Sequence, residues 1–178
     1  CRLTIYVEGD ATPAYYGVYA MIESIDEDYI ANRSVQWGGN VGYLWKCGNM
    51  GGFKADFVQN TNIGVQDIQL DPSLSKVYSY DLKTRESEIL IAQAELTSFI
   101  SDLNNKTNSE FKSWISSKMD VPLFLKTYAV NVALGMWDDY WINGNNFYFY
   151  FAGNGKAYFI PYDYDNTLGT SLFVNSGT

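Results

Sequence analysis

The chain has 178 residues, a length that fits one domain with room for a substantial core. Its formal net charge of −8 argues against nucleic acid or an anionic membrane as the main partner. There is no histidine and there are two cysteines, which excludes His-based zinc sites and Ser-His or Cys-His catalysis and leaves carboxylates, asparagines and lysines to carry the chemistry.

The first half reads as strand and loop. Leu3 to Val7 alternates, a Gly-Asp-Ala-Thr-Pro turn follows, and Tyr15 to Glu23 forms its hairpin partner. Residues 26–33 suit a short helix capped by Asp26. "GGNVGYLWKCGNMGG" frames a strand at Gly42–Cys47, a further short strand is expected at 53–58, and 60–80 reads as a long loop with one or two extended pieces.

The second half changes character. Ile89, Ala92, Leu96, Phe99, Ile100 and Leu103 recur at three and four, predicting an amphipathic helix from Thr84 to about Asn104. A shorter helix is expected over Ser109–Lys118. Asp120 as N-cap and Pro122 in the first turn open another, so apolar all round that it is expected to be the buried central helix. After the acidic, asparagine-rich "MWDDYWINGNN" come two strands, Phe147–Phe151 and Ala157–Pro161, joined by a Gly-Asn-Gly turn and ending in "FIPYDYDNTLG". In an extended chain Asp163 and Asp165 share one face and Tyr162 and Tyr164 the other. Like charges so close ask for a cation, a partner or solvent.

Fifteen tyrosines, ten phenylalanines and five tryptophans are the composition of a sheet-rich extracellular or surface protein. No stretch reads as a membrane span or signal peptide, and the first residue is Cys1, so the chain is expected to be a piece of a longer precursor. Cys1 and Cys47 can form one disulfide in an oxidising compartment.

A helix, an acidic loop, a hairpin and an Asp-bearing turn follow the order of elements in kinase-type phosphoryl transfer. Asp138 stands where an acceptor hydroxyl is oriented, Asn143 or Asn146 where a metal is held, and Asp163 where the metals on the nucleotide phosphates are held. The phosphate-binding lysine would be Lys46, with Glu23 its ion-pair partner. Against this stand plainer readings: Asp163 and Asp165 as a solvated pair or a calcium site, Asp139 as loop polarity, and Lys46 as a surface residue of an edge strand.

Four ordered stretches from residue 15 to residue 169 carry a resemblance to one family. They are "YYGVYAMIESIDEDYI", "GYLWKCG", "GMWDDYWINGNNFYFY" and "FIPYDYDNTLG". The second is similar to a Gly-Asn-Leu-Tyr-Lys segment of the CotH kinases, and the last to their Ile-Pro-Trp-Asp-x-Asp-x-x-x-Gly signature. The resemblance implies an α+β, atypical protein-kinase-like fold in a single domain over 1–178. Residues 1–80 would form its β-rich lobe, and residues 81–178 a helical lobe that carries the site on a catalytic hairpin. It further implies a secretory-pathway enzyme that uses ATP and Mg²⁺ or Mn²⁺ to phosphorylate Ser or Thr of a secreted or surface protein. By position Asp138 is then catalytic and Asp163, Asn146 and Asp165 hold metal, while Lys46 and Glu23 serve the nucleotide. Two other readings remain: a non-catalytic adhesion or binding protein with at most a structural calcium, and a metal-dependent phosphohydrolase.

Overall fold

A computed structural model describes residues 1–48, 54–58, 62–66 and 77–169. The chain opens with β1 (Arg2–Ile5) and β2 (Ala14–Val18), an antiparallel hairpin that forms its own two-stranded sheet. Asp26 caps α1 (Glu27–Ala31) as expected, accepting from the backbone N–H groups of Asp28 and Tyr29. A short helix α2 (Ser34–Trp37) leads to β3 (Tyr43–Cys47). Then come β4 (Ile63–Gly64), β5 (Tyr80–Leu82), α3 (Ile89–Asn105), α4 (Asn108–Lys118), α5 (Val121–Leu134), α6 (Tyr140–Asn143), β6 (Phe147–Phe151) and β7 (Ala157–Pro161). Among the described residues 38% are helical and 20% lie in strands, so the fold is α+β.

The main sheet has the order β4-β5-β3-β6-β7, antiparallel except where β4 meets β5. Thus β3 is the central strand, not an edge, and Lys46 sits between Asp81 of β5 and Tyr148 of β6. Period-two alternation gives the sheet two apolar faces. Trp45, Cys47, Phe147, Phe149 and Phe151 pack against Ala92, Leu96, Phe99 and Ile100 of α3. Leu44, Tyr148, Tyr150 and Ile160 pack against Ile30 and Trp37 of α1 and α2. Being covered on both sides, all five residues of β6 are buried.

Four expectations are corrected. The segment 54–58 is not a strand. Its backbone is satisfied elsewhere, Ala55 donating to the carbonyl of Gly144 (2.8 Å) and Phe57 to the hydroxyl of Tyr80 (2.7 Å), with Phe57 in a left-handed conformation. Residue 53 lies outside the described residues. The long helix begins at Ile89 rather than Thr84, because the Thr84 hydroxyl is spent on β3, accepting from Leu44 N–H and donating to Gly42 O. Cys1 and Cys47 are unpaired: Cys1 is exposed on the separate hairpin, and Cys47 is buried under α3, where burial pushes its thiol well up.

Last, α5 is not the buried helix. Leu123, Leu125, Val130 and Val132 are 46%, 55%, 51% and 62% exposed, and only Asn131 is fully buried. The sheet face that would have buried it is already filled by α3, so α5 meets the main sheet at the edge strand β7, where Phe124 meets Phe159 edge-on at 5.4 Å. No helix among the described residues is long and apolar enough to cross a membrane.

Candidate functional site

The site is built where α5 runs out. Gly135 takes a left-handed conformation that stops the helix, and Asp139 then caps α6 by accepting from Trp141 (3.0 Å) and Ile142 (3.2 Å). This tight turn leaves Asp138 facing the asparagines that follow. Asn143 donates to its Oδ1 at 2.9 Å and Asn145 at 3.4 Å, while Asn146 donates to Oδ2 at 3.0 Å and to its backbone carbonyl at 2.9 Å. Both asparagines that spacing offered as metal ligands therefore converge on Asp138. Asn146, whose φ is +55°, leads straight into β6 and keeps its side-chain oxygen as the acceptor.

The second acidic segment is held against the first by the hairpin. Tyr162 N–H donates to Asn146 O (3.0 Å), extending the β6–β7 ladder one step beyond Pro161. Asp163 then leaves the strand with φ +59°. A non-glycine residue held there costs energy and is concentrated at functional sites, and aspartate is among the side chains that tolerate it. The two carboxylates meet through this turn, not through strand alternation, because the Asp165 backbone N–H donates to the Asp163 carboxylate. Burial and the neighbouring Asp165 charge, with Asp138 adding to them, hold the Asp163 carboxyl above the ordinary carboxylate range.

The tyrosines do not share one packing face either. Tyr162 meets Tyr148 edge-on at 5.4 Å, whereas the Tyr164 hydroxyl donates to Asn131 at 2.6 Å.

Lys46 lies half-buried on the α1–α2 face of the sheet, opposite Tyr148, which is two residues from Asn146. Among the described residues it makes no ion pair; Asp81, across the strand, is paired with Lys83 instead. Just beyond Lys46, Gly48 abuts the asparagine loop, with a φ of +79° and Asn145 and Gly144 against its backbone. Glu23 is not the partner of Lys46. Arg33, ten residues on and carried by the same helical layer, grips it with both guanidinium nitrogens (2.8 and 3.1 Å) and holds its carboxyl below the ordinary range.

Among the described residues no three acids or thiols stand close enough to grip a metal by themselves. Two carboxylates and an amide oxygen, Asp163, Asp165 and Asn146, are an oxygen-only set. Such a set suits a hard cation that keeps water and phosphate oxygens in its remaining positions.

With this geometry in view, the profile of the CotH kinase proteins matches residues 3–172, a span that contains every residue just described. The chain belongs to the CotH kinase protein family. It is 27% identical over 157 residues to the inner spore coat protein H of Bacillus subtilis (strain 168), a stretch that is 88% of this chain and 38% of that relative. The CotH chain thus spans well under half the length of this curated relative. No solved structure matches it.

The order of elements in the sequence pointed to Asp138, to Asn143 or Asn146, and to Asp163, but not to the groups behind them. Asn131 and Asp139, 3% and 4% exposed, are buried at the back of the site. One signal was available for Asn131: a lone amide in the apolar run "VPLFLKTYAVNVAL", since a buried polar residue is the informative kind.

Proposed function

We propose that this CotH chain is the core of a metal- and ATP-dependent protein kinase that phosphorylates Ser or Thr of a secreted or surface protein. In this reading the fold is an atypical protein-kinase-like one, and β6–β7 is its catalytic hairpin. The observation that carries it is the convergence of Asp138 and Asn146 at 3.0 Å beside an Asp163 whose carboxyl responds to the Asp138 and Asp165 charges.

Asp163 and the Asn146 oxygen would hold Mg²⁺ or Mn²⁺, with Asp165 next to them. The cation, when bound, supplies charge neutralisation and alignment for the ATP phosphates. Asp138, its carboxylate steadied by three amide groups, orients the acceptor hydroxyl and takes its proton. Lys46 neutralises phosphate charge from the central strand. Phosphoryl transfer of this type asks the protein mainly for positioning and electrostatics, which a site without histidine can supply.

Radiolabelled ATP separates the roles when nucleotide binding and label transfer are measured side by side. Asp163→Asn, which keeps a residue tolerant of left-handed backbone, loses metal-dependent nucleotide binding. Asp138→Asn retains binding and loses transfer by about 10²–10⁴-fold. Equal transfer by both variants and the unaltered protein would sink the assignment.

A further inference from the structure

We infer that Asn131 is a positioning residue that clamps the two acidic segments of the site to each other through Tyr164 and Asp139. The inference rests on the reading of Asp138 and Asp163 as one site. Asn131 Oδ1 accepts from the Tyr164 hydroxyl at 2.6 Å, and Asn131 Nδ2 donates to Asp139 Oδ2 at 3.3 Å. Tyr164 stands between Asp163 and Asp165, and Asp139 immediately follows Asp138. A single buried amide on α5 therefore reaches the neighbour of each functional acid.

The linkage is built rather than incidental. Asp139 uses its other oxygen to cap α6, so its carboxylate is tied to the loop that carries Asn143, Asn145 and Asn146. Tyr164 is fixed on the far side as well, its carbonyl accepting from the Thr167 hydroxyl (2.8 Å). One turn further along α5 the second acidic segment is tied to the helix again, Leu168 N–H donating to Leu134 O at 2.7 Å.

In α5 every other side chain is at least partly exposed, and a helix of that kind gains nothing in packing from a buried amide. Burying Asn131 is unfavourable unless its bonds are made, and removing it would leave a buried Asp139 oxygen and a part-buried Tyr164 hydroxyl without this partner. The chemical meaning is that the spacing between the acceptor-orienting acid and the metal-holding acids is set by α5. Groups that orient ligating side chains in this way typically change metal affinity or activity by about 10–100-fold when lost.

The test uses two variants: Asn131→Leu, which removes the clamp, and Tyr164→Phe, which deletes one hydroxyl and keeps the ring. Backbone hydrogen exchange and the affinity for Mn²⁺ with ATP are both measured on the whole chain. In each variant, exchange should quicken in residues 136–146 and in 162–169 together while α3 and the main sheet stay protected, and affinity should fall about tenfold or more. Quickening in only one segment, or in both with affinity unchanged, overturns the clamp. If the unaltered chain binds no Mn²⁺ with ATP, the reading of the metal site falls, and the paired exchange response alone then upholds or overturns the clamp.

Discussion

At the residue scale, two positions set what this site and its sheet tolerate. Gly48 closes β3 against the asparagine loop, and a Cβ there would come within 2.5 Å of Asn145 Cα and of the Gly144 carbonyl, both backbone atoms that cannot swing aside. Its φ of +79° is also one that alanine resists. Gly48→Ala should therefore cost about 1–3 kcal/mol and lower Tm by several degrees, read by thermal denaturation, with the loop around Asn145 displaced.

Tyr148 carries a pH signature. Burial, then the nearby Tyr162, pushes its phenol from 10.0 up to about 12. Between those values the unfolded chain gives up this proton and the native chain keeps it, so the stability Tyr148 contributes is present below pH 10 and is lost as pH rises toward 12. Tyr148→Phe should remove a late-ionising phenol from the 295 nm titration and flatten the fall of Tm across that window.

Asn143 and Asn146 could be offered as companions of Asp138 from the sequence because they lie five and eight residues on, within reach of one tight turn. The sequence was silent about the Asn131–Tyr164 bond, whose partners are 33 residues apart and share no local pattern. Glu23 misled for a related reason: charge type suggested Lys46, but the nearer cation in space was Arg33.

Elements tell a similar story. The N-caps Asp26 and Asp120, the Gly-Asn-Gly turn and the two aromatic strands of the hairpin follow from neighbours within a few residues, and all formed as their chemistry dictates. Periodicity reports which faces of a helix are apolar, not which of them find a partner. For α3 the two coincide; for α5 they do not, since Leu96 and Phe99 already occupy the sheet face that α5 would need.

Substitution should expose the contrast. Leu96→Ala, at a position with no exposure, should cost about 2–5 kcal/mol, whereas Val132→Lys, at a site 62% exposed, should stay within about 0.5 kcal/mol. Urea denaturation of the two variants measures both. A large loss from Val132→Lys would mean that α5 is covered in solution.

Across the whole molecule the decisive feature is the place of β3. It belongs to the β-rich first half, yet its neighbours on both sides, β5 and β6, begin at residue 80 or later. Pieces cut at residue 80 should then be unfolded separately and regain dispersed amide resonances only when mixed. A folded 1–80 fragment would contradict the shared sheet.

The pairing of Lys46 with Tyr148 also spans roughly a hundred residues, so it is among the last contacts a growing chain can make. At synthesis rates of about 5–20 residues per second, β3 waits roughly 5–20 s after leaving the ribosome before its hairpin partner exists. Through that wait "YLWKC" is an aromatic strand whose β6 edge is open, the kind of segment that recruits other nascent chains. The ammonium of Lys46 sits in its middle. A charge in that position opposes pairing with other chains, as gatekeeper residues do.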